Sequence, residues 1–226
     1  MIICNFASVI KQWGTKRHRS MEKENFRTIL LKNAAQIEEI RQVAYELHKN
    51  VNQTYGTTLP YGCHLDMVAN VVRQFGHLVC AREADVLPMM FGAFFHDTIE
   101  DARQSYNDVK KAALRYMDEQ QALVAVEIVY ALTNDKGRTR AERAGERYYA
   151  GIRETPYAPF VKLCDRVANV VFSCSQLDES NQRMKDIYRR EMPHFLSSIQ
   201  SDNSDARFAV PSETIAVLSE QLGSWA

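Results

Sequence analysis

No C-x-x-C pair occurs among the five cysteines, Cys4, Cys63, Cys80, Cys164 and Cys174. An odd number without that spacing argues against a disulfide framework and a zinc ribbon, and for reduced thiols in a cytoplasmic protein. An excess of one charge sign is lacking too, because Lys plus Arg and Asp plus Glu both number 28. No global field therefore draws the chain to nucleic acid or to an anionic membrane, and an anionic substrate has to be held by local charge. No segment approaches the roughly 18 uninterrupted apolar residues of a membrane span. The opening MIICNFASVI is short for a signal peptide, and its basic KRHR follows the apolar run instead of preceding it. There is no phosphate-binding glycine loop, no nucleophilic Ser-His-Asp order, no internal repeat and no sustained period-two alternation of a half-buried strand.

With 226 residues and 46% hydrophobic content, the chain can bury the core of one domain. Residues 1–20 carry no helical period through WGTKRHRS and are expected to form a mobile or loosely docked N-terminal tail, with Met21 a candidate biological start. Residues 21–226 are expected to form a single all-α domain of roughly eight to ten helices. Ile29, Ile37, Ile40, Ala44 and Leu47 suit one long amphipathic helix, Leu65, Val68, Val72 and Phe75 a second, and Leu123, Val126 and Tyr130 a third. Ser105 with Asp108 resembles a capping box, Thr155 and Pro156 suit an N-cap and first helical position, Ser180 suits a cap, and Pro211 opens SETIAVLSEQL. GTTLPYG and NDKG carry turn chemistry.

The stretch FGAFFHDTIEDA, residues 91–102, places polar groups behind an apolar run that is costly to expose. In a helix at about 100° per residue, His96 and Glu100 share a face, as do Asp97 and Asp101. Partly desolvated acids this close take up protons unless a cation sits among them. One imidazole beside one carboxylate suits Mn²⁺, Fe²⁺, Zn²⁺ or Mg²⁺. Two ligands do not hold a metal, so His64 and Asp165 are the further candidates. Asp165 interrupts the apolar run of Phe160, Val161, Leu163, Val167, Ala168 and Val170, and Arg166 points about 100° away from it. An HD dipeptide alone is more often a solvated helix end; with the ED pair, a buried-looking Asp and a His on other helices, the metal reading gains the upper hand. His48 is read as a helix-face histidine, His77 as a loop residue, and His18 and His194 as surface, none with a ligand role.

PYGCHLDMVA, HDTIED, LTNDKGRTRAER and VKLCDRVANV occur in that order over about Ala34 to Ile199, and the set resembles the hydrolase domain of the RelA/SpoT family, most closely its stand-alone small alarmone hydrolases, within the HD-domain phosphohydrolases. The resemblance implies an HD-type helical bundle in which His64, His96, Asp97 and Asp165 hold a metal, Mn²⁺ in typical members. It implies that Glu100 and Asp101 order the attacking water and handle its proton, and that Asn169 lies in the nucleotide pocket. Lys162 and Arg166 match basic positions, and Thr133, Asp135 and Lys136 match a segment bordering the site. The implied reaction removes pyrophosphate from the 3′ position of (p)ppGpp, with a small-molecule nucleotide as the substrate and no nucleic acid or membrane as partner. Two departures bear on the nucleotide pocket: Tyr55 stands where a basic residue often stacks on guanine, and QFGHLVCAREADVL looks like an insertion. Tyrosine can still stack on a base without bringing charge. An HD phosphohydrolase for another nucleotide, and a non-catalytic nucleotide-binding module, are the alternatives; the occupied acid/base positions speak against the second.

Overall fold

A computed structural model describes residues 20–134, 138–223 and 225. The expected tail, apart from Ser20, and Asp135, Lys136 and Gly137 of the NDKG turn lie outside the described residues. Those described form an all-α bundle, with ten helices of eight residues or more and two of a single turn. In chain order these are α1 (Lys23–Lys32), α2 (Ala34–Asn50), α3 (Gly62–Phe75), α4 (Val86–Phe95), α5 (Thr98–Asp101), α6 (Tyr106–Ala113) and α7 (Glu119–Leu132). They continue as α8 (Arg140–Arg143), α9 (Glu146–Glu154), α10 (Ala158–Ser175), α11 (Glu179–Ile199) and α12 (Ser212–Leu222). The GTTLPYG turn becomes a minimal antiparallel hairpin, β1 (Thr54–Tyr55) on β2 (Leu59–Pro60), which leads into α3.

Several boundaries differ from the sequence expectation for identifiable reasons. The long helix through Ile29 and Leu47 is two helices, because Asn33 leaves helical geometry and its side-chain amide donates to the Ile29 carbonyl. Asparagine's readiness to bond its own neighbourhood favours such a break. Helix α10 begins at Ala158, not after Thr155. Tyr157, at φ 69°, is held there by its N–H on the Arg207 carbonyl and its hydroxyl on Asp85 at 2.5 Å. The proline in the first turn is thus Pro159. Asp178 rather than Ser180 caps α11, accepting from Asn181 N–H at 3.0 Å. Tyr130 is exposed, so the buried stripe of α7 runs instead through Ala122, Val126 and Val129. The Ser105–Asp108 capping box and the start of α12 after Pro211 are as expected.

Helix α4 is the axis of the bundle: all its residues from Val86 to Phe95 are buried, and it packs against α2, α3 and α7. Helix α10 lies against α3, α11 and α12 and buries Phe160, Leu163, Val167 and Val170. The three elements α3, α4 and α10 thus converge at the centre. Cys63, Cys80, Cys164 and Cys174 are free thiols, and among the described residues no helix is long and apolar enough to cross a membrane.

Gly92 is where α4 and α7 approach most critically, since a β-carbon there would stand 2.6 Å from Ile128 Cγ2. The branched Ile128 side chain cannot swing its Cγ2 aside without leaving its rotamer. Alanine gains up to ~1 kcal/mol of helix propensity but overpacks this contact, which costs about 1–3 kcal/mol. Gly92→Ala is therefore expected to lower the urea midpoint without changing the slope, and Gly92→Val to lower it further.

Candidate metal centre

The sequence expected His96 through Asp101 to ride on one continuous helix. Instead α4 ends at Phe95, His96 and Asp97 form a turn, and Thr98 opens the one-turn α5. Two side chains take over the last carbonyls of α4: His96 Nδ1 bonds the Ala93 oxygen at 2.9 Å, and Thr98 Oγ1 donates to the Phe95 oxygen at 2.7 Å. These bonds satisfy groups that a helix end leaves orphaned. The first also fixes His96 with its proton on Nδ1, so the Nε2 lone pair faces the cluster.

His64 comes from the first turn of α3 and Asp165 from the middle of α10. His64 Nε2 and His96 Nε2 lie 3.2 Å apart. Asp97 Oδ2 is 2.8 Å from His96 Nε2 and 3.6 Å from His64 Nε2. Asp165 Oδ1 is 3.4 Å and 3.9 Å from the same two nitrogens. The donor atoms of His64, His96 and Asp97 all lie within 4.8 Å of one another. Two imidazole nitrogens and the Asp97 oxygen make a mixed donor set that a borderline divalent cation accepts, with Asp165 Oδ1 beside both nitrogens but outside that closest group. The residues therefore fit a metal.

Each carboxylate is oriented from behind. Tyr61, on the hairpin side of α3, donates its hydroxyl to Asp97 Oδ2. Asp165 accepts from Lys162 Nζ at 2.9 Å and from Asn169 Nδ2 at 2.6 Å. The sequence left Asp165 without a partner other than a metal; Lys162, one turn earlier on the same helix, is that partner. Asn169 in turn accepts the Tyr55 hydroxyl at 3.0 Å. Tyr55 is packed at 4.8 Å on the His64 ring and 4.3 Å on Phe172, so its ring is engaged by the protein itself. Arg166 pairs with Glu191 at 3.2 Å and lies over Phe195 at 4.2 Å.

The acid/base candidates fall on opposite flanks. Glu100 accepts from Asn134 Nδ2 at 2.8 Å, and Asp101 from Gln53 Nε2 at 2.7 Å. Burial, more than any neighbouring charge, raises the pKa of both. A cavity of about 540 Å³ adjoins the centre, with Glu100, Asn134, Arg143, Lys162, Asp165 and Arg166 in its wall. Asn169 lines it too, whereas Tyr55 and Asp101 do not. Thr133 ends α7 beside Asn134; Asp135 and Lys136 lie outside the described residues.

Four residues given no site role in the sequence shape this region: His48, expected only on a helix face, with Gln53, Tyr61 and Asn134. His48 carried a legible signal, since it continues the buried stripe Ile37, Ile40, Ala44 at helical spacing and is itself buried. Gln53 carried none, being a polar residue in a turn, whereas Asn134 lies within the LTNDK segment between Thr133 and Asp135. No protein-family model matches the chain, and neither does any curated protein.

The electrostatics favour positive charge at this point. Burial opposes protonation of His96, but the Asp97 carboxylate, with Asp165 beyond it, holds its pKa up to about 9. Burial likewise opposes ionisation of Asp97 and Asp165, yet His96 holds the first, and Lys162 and His64 the second, well below the usual carboxylate range. In metal-free protein the charged His96 adds stability that is fully present below about 6.5 and lost as pH rises through about 9. A metal must displace that proton, so its apparent affinity is expected to climb with pH up to about 9. Calorimetric titration with Mn²⁺ in buffers of different ionisation enthalpy should show proton release at pH 7. Asp97→Ala should abolish binding.

Proposed function

We propose that the protein is a metal-dependent phosphohydrolase of the HD type that opens a nucleotide phosphoester by direct attack of water, with (p)ppGpp and its 3′ pyrophosphate as the best-supported substrate. The clustering of His64, His96 and Asp97 with Asp165, which itself lines the adjoining cavity of about 540 Å³, carries this reading. The ordered likeness of PYGCH, HDTIED, LTNDK and KLCDR to the alarmone hydrolases supplies the substrate.

A divalent cation, Mn²⁺ by that likeness, when bound by those four side chains lowers the pKa of water and offsets charge on a phosphoryl group. Glu100 takes the proton of the attacking water. Its carboxylate lines the cavity, is oriented by Asn134, and is made more basic by burial. A bond forms from water oxygen to phosphorus, the bond from phosphorus to the ribose 3′ oxygen breaks, and the proton ends on that leaving oxygen. Arg143, in the wall of the cavity, and Arg166 offer cationic contacts to phosphate oxygens. Arg166 reaches them by exchanging Glu191 for the substrate. Lys162 stays with Asp165 and steadies the metal ligand.

One observation favours a second reading, hydrolysis of a different nucleotide: Tyr55 is absent from the cavity wall and its ring is packed on His64 and Phe172. It is thus not presented as a platform for guanine.

A manganese-supplemented screen of ppGpp against nucleoside 3′- and 5′-phosphates, read by product identity, separates these readings. Release of pyrophosphate with GDP supports the first, activity confined to 5′-nucleotides selects the second, and a metal-replete protein inert on the whole panel refutes catalysis. Glu100→Gln is expected to lower kcat by roughly 10²- to 10⁴-fold while metal content is unchanged; an undiminished rate removes Glu100 from the base role.

A further inference from the structure

Helix α2 ends in a turn that folds the chain back on itself. Val51 and Gln53 N–H both donate to the His48 carbonyl, at 3.2 and 3.1 Å, and Asn52 N–H donates to the Lys49 carbonyl at 2.9 Å. Asn52 takes φ 57°, a left-handed conformation that asparagine tolerates better than most residues. The turn brings Gln53 over the side chain of His48. That imidazole is 1% exposed and stacked on Tyr61 at 4.5 Å. Its Nδ1 lies 2.5 Å from Gln53 Oε1, and Gln53 Nε2 donates to Asp101 Oδ2 at 2.7 Å.

These two bonds determine each other. An ionised carboxylate only accepts, so Gln53 must turn its NH₂ to Asp101 and its oxygen to His48. His48 must then carry a proton on Nδ1. Burial lowers its pKa, which favours the neutral ring with Nε2 bare. That nitrogen is buried without a hydrogen-bond partner. Phenylalanine would fill the same space against Tyr61 with no orphaned nitrogen, so shape and packing alone do not account for an imidazole here. The Nδ1–H bond to Gln53 does.

We propose that His48 and Gln53 are positioning residues for the acid/base candidate Asp101: the imidazole locks the amide, and the amide occupies Oδ2 and holds the carboxylate on the flank of the centre opposite Glu100. The assignment rests on the phosphohydrolase reading and adds two residues to it. His48 serves both sides of the centre, because Tyr61, against which it stacks, donates its hydroxyl to the metal ligand Asp97.

Full-length, manganese-replete wild type, Gln53→Ala, His48→Phe and His48→Asn are to be compared on ppGpp for kcat, KM, metal content and melting temperature. Gln53→Ala and His48→Phe are expected to lower kcat roughly 10- to 100-fold with KM and metal content unchanged. His48→Asn, whose amide N–H replaces Nδ1–H, should keep kcat within about threefold of wild type. Melting temperatures should rank the other way, with His48→Phe at or above wild type and His48→Asn below it, because only phenylalanine preserves the packing. Wild-type kcat in Gln53→Ala or His48→Phe, or His48→Asn as slow as His48→Phe, overturns the assignment while leaving the phosphohydrolase reading in place. A wild type inert on ppGpp overturns the alarmone-hydrolase reading and this assignment with it.

Discussion

Carboxylates set into a protein interior stay ionised only where positive charge or donated protons meet them. That constraint organises the centre of this molecule. Asp165 sits in the middle of α10 and Asp97 in the turn that follows α4, and neither could be buried there unaccompanied. Tyr61, Asn169 and Lys162 each spend a donor on one of the two oxygen pairs, and the imidazoles of His64 and His96 close the remaining side. His64 and His96 are themselves buried, which strengthens the charge interactions they make. A cation held by His64, His96 and Asp97 would add positive charge where the buried carboxylates need it.

The same logic runs outward to the hairpin. Tyr55 and Tyr61 flank β2, and each hands its hydroxyl to the site, one through Asn169 and one directly to Asp97. Gly56, at φ 60°, lets the hairpin turn while lying against Phe172. A β-carbon there would come within 3.0 Å of that ring. A two-residue strand pair with little stability of its own is thus held by what it does for the carboxylates and by the aromatic face it packs on.

The helical class of the fold was legible because apolar spacing in α2, α3 and α10 is dense and regular. The grouping of His64, His96, Asp97 and Asp165 was legible because they interrupt that spacing with residues costly to bury. What escaped the sequence were breaks decided by single side chains: Asn33 bonding Ile29, Tyr157 pinned by Asp85 and Arg207, and His96 and Thr98 taking over the last carbonyls of α4. Each depends on a partner atom whose position only the folded chain supplies. Lys162 escaped as a partner for Asp165 although i, i+3 pairing is a local rule, because a lysine beside a nucleotide-type motif is read first as a phosphate ligand. His48 escaped because Leu47 offered an apolar reading of the same turn.

The ligands are drawn from α3, the end of α4 and α10, segments far apart along the chain that meet only when the bundle has closed. The unfolded polymer offers no comparable site, so an ion taken up there is bound by the native state alone. Occupancy would add RT ln(1 + [metal]/Kd) to the folding free energy, about 2.7 kcal/mol at a hundredfold excess over Kd. Were a cation to bind there, the distance between these side chains in sequence would make the heat resistance and protease lifetime of the whole bundle a function of the free metal concentration around it.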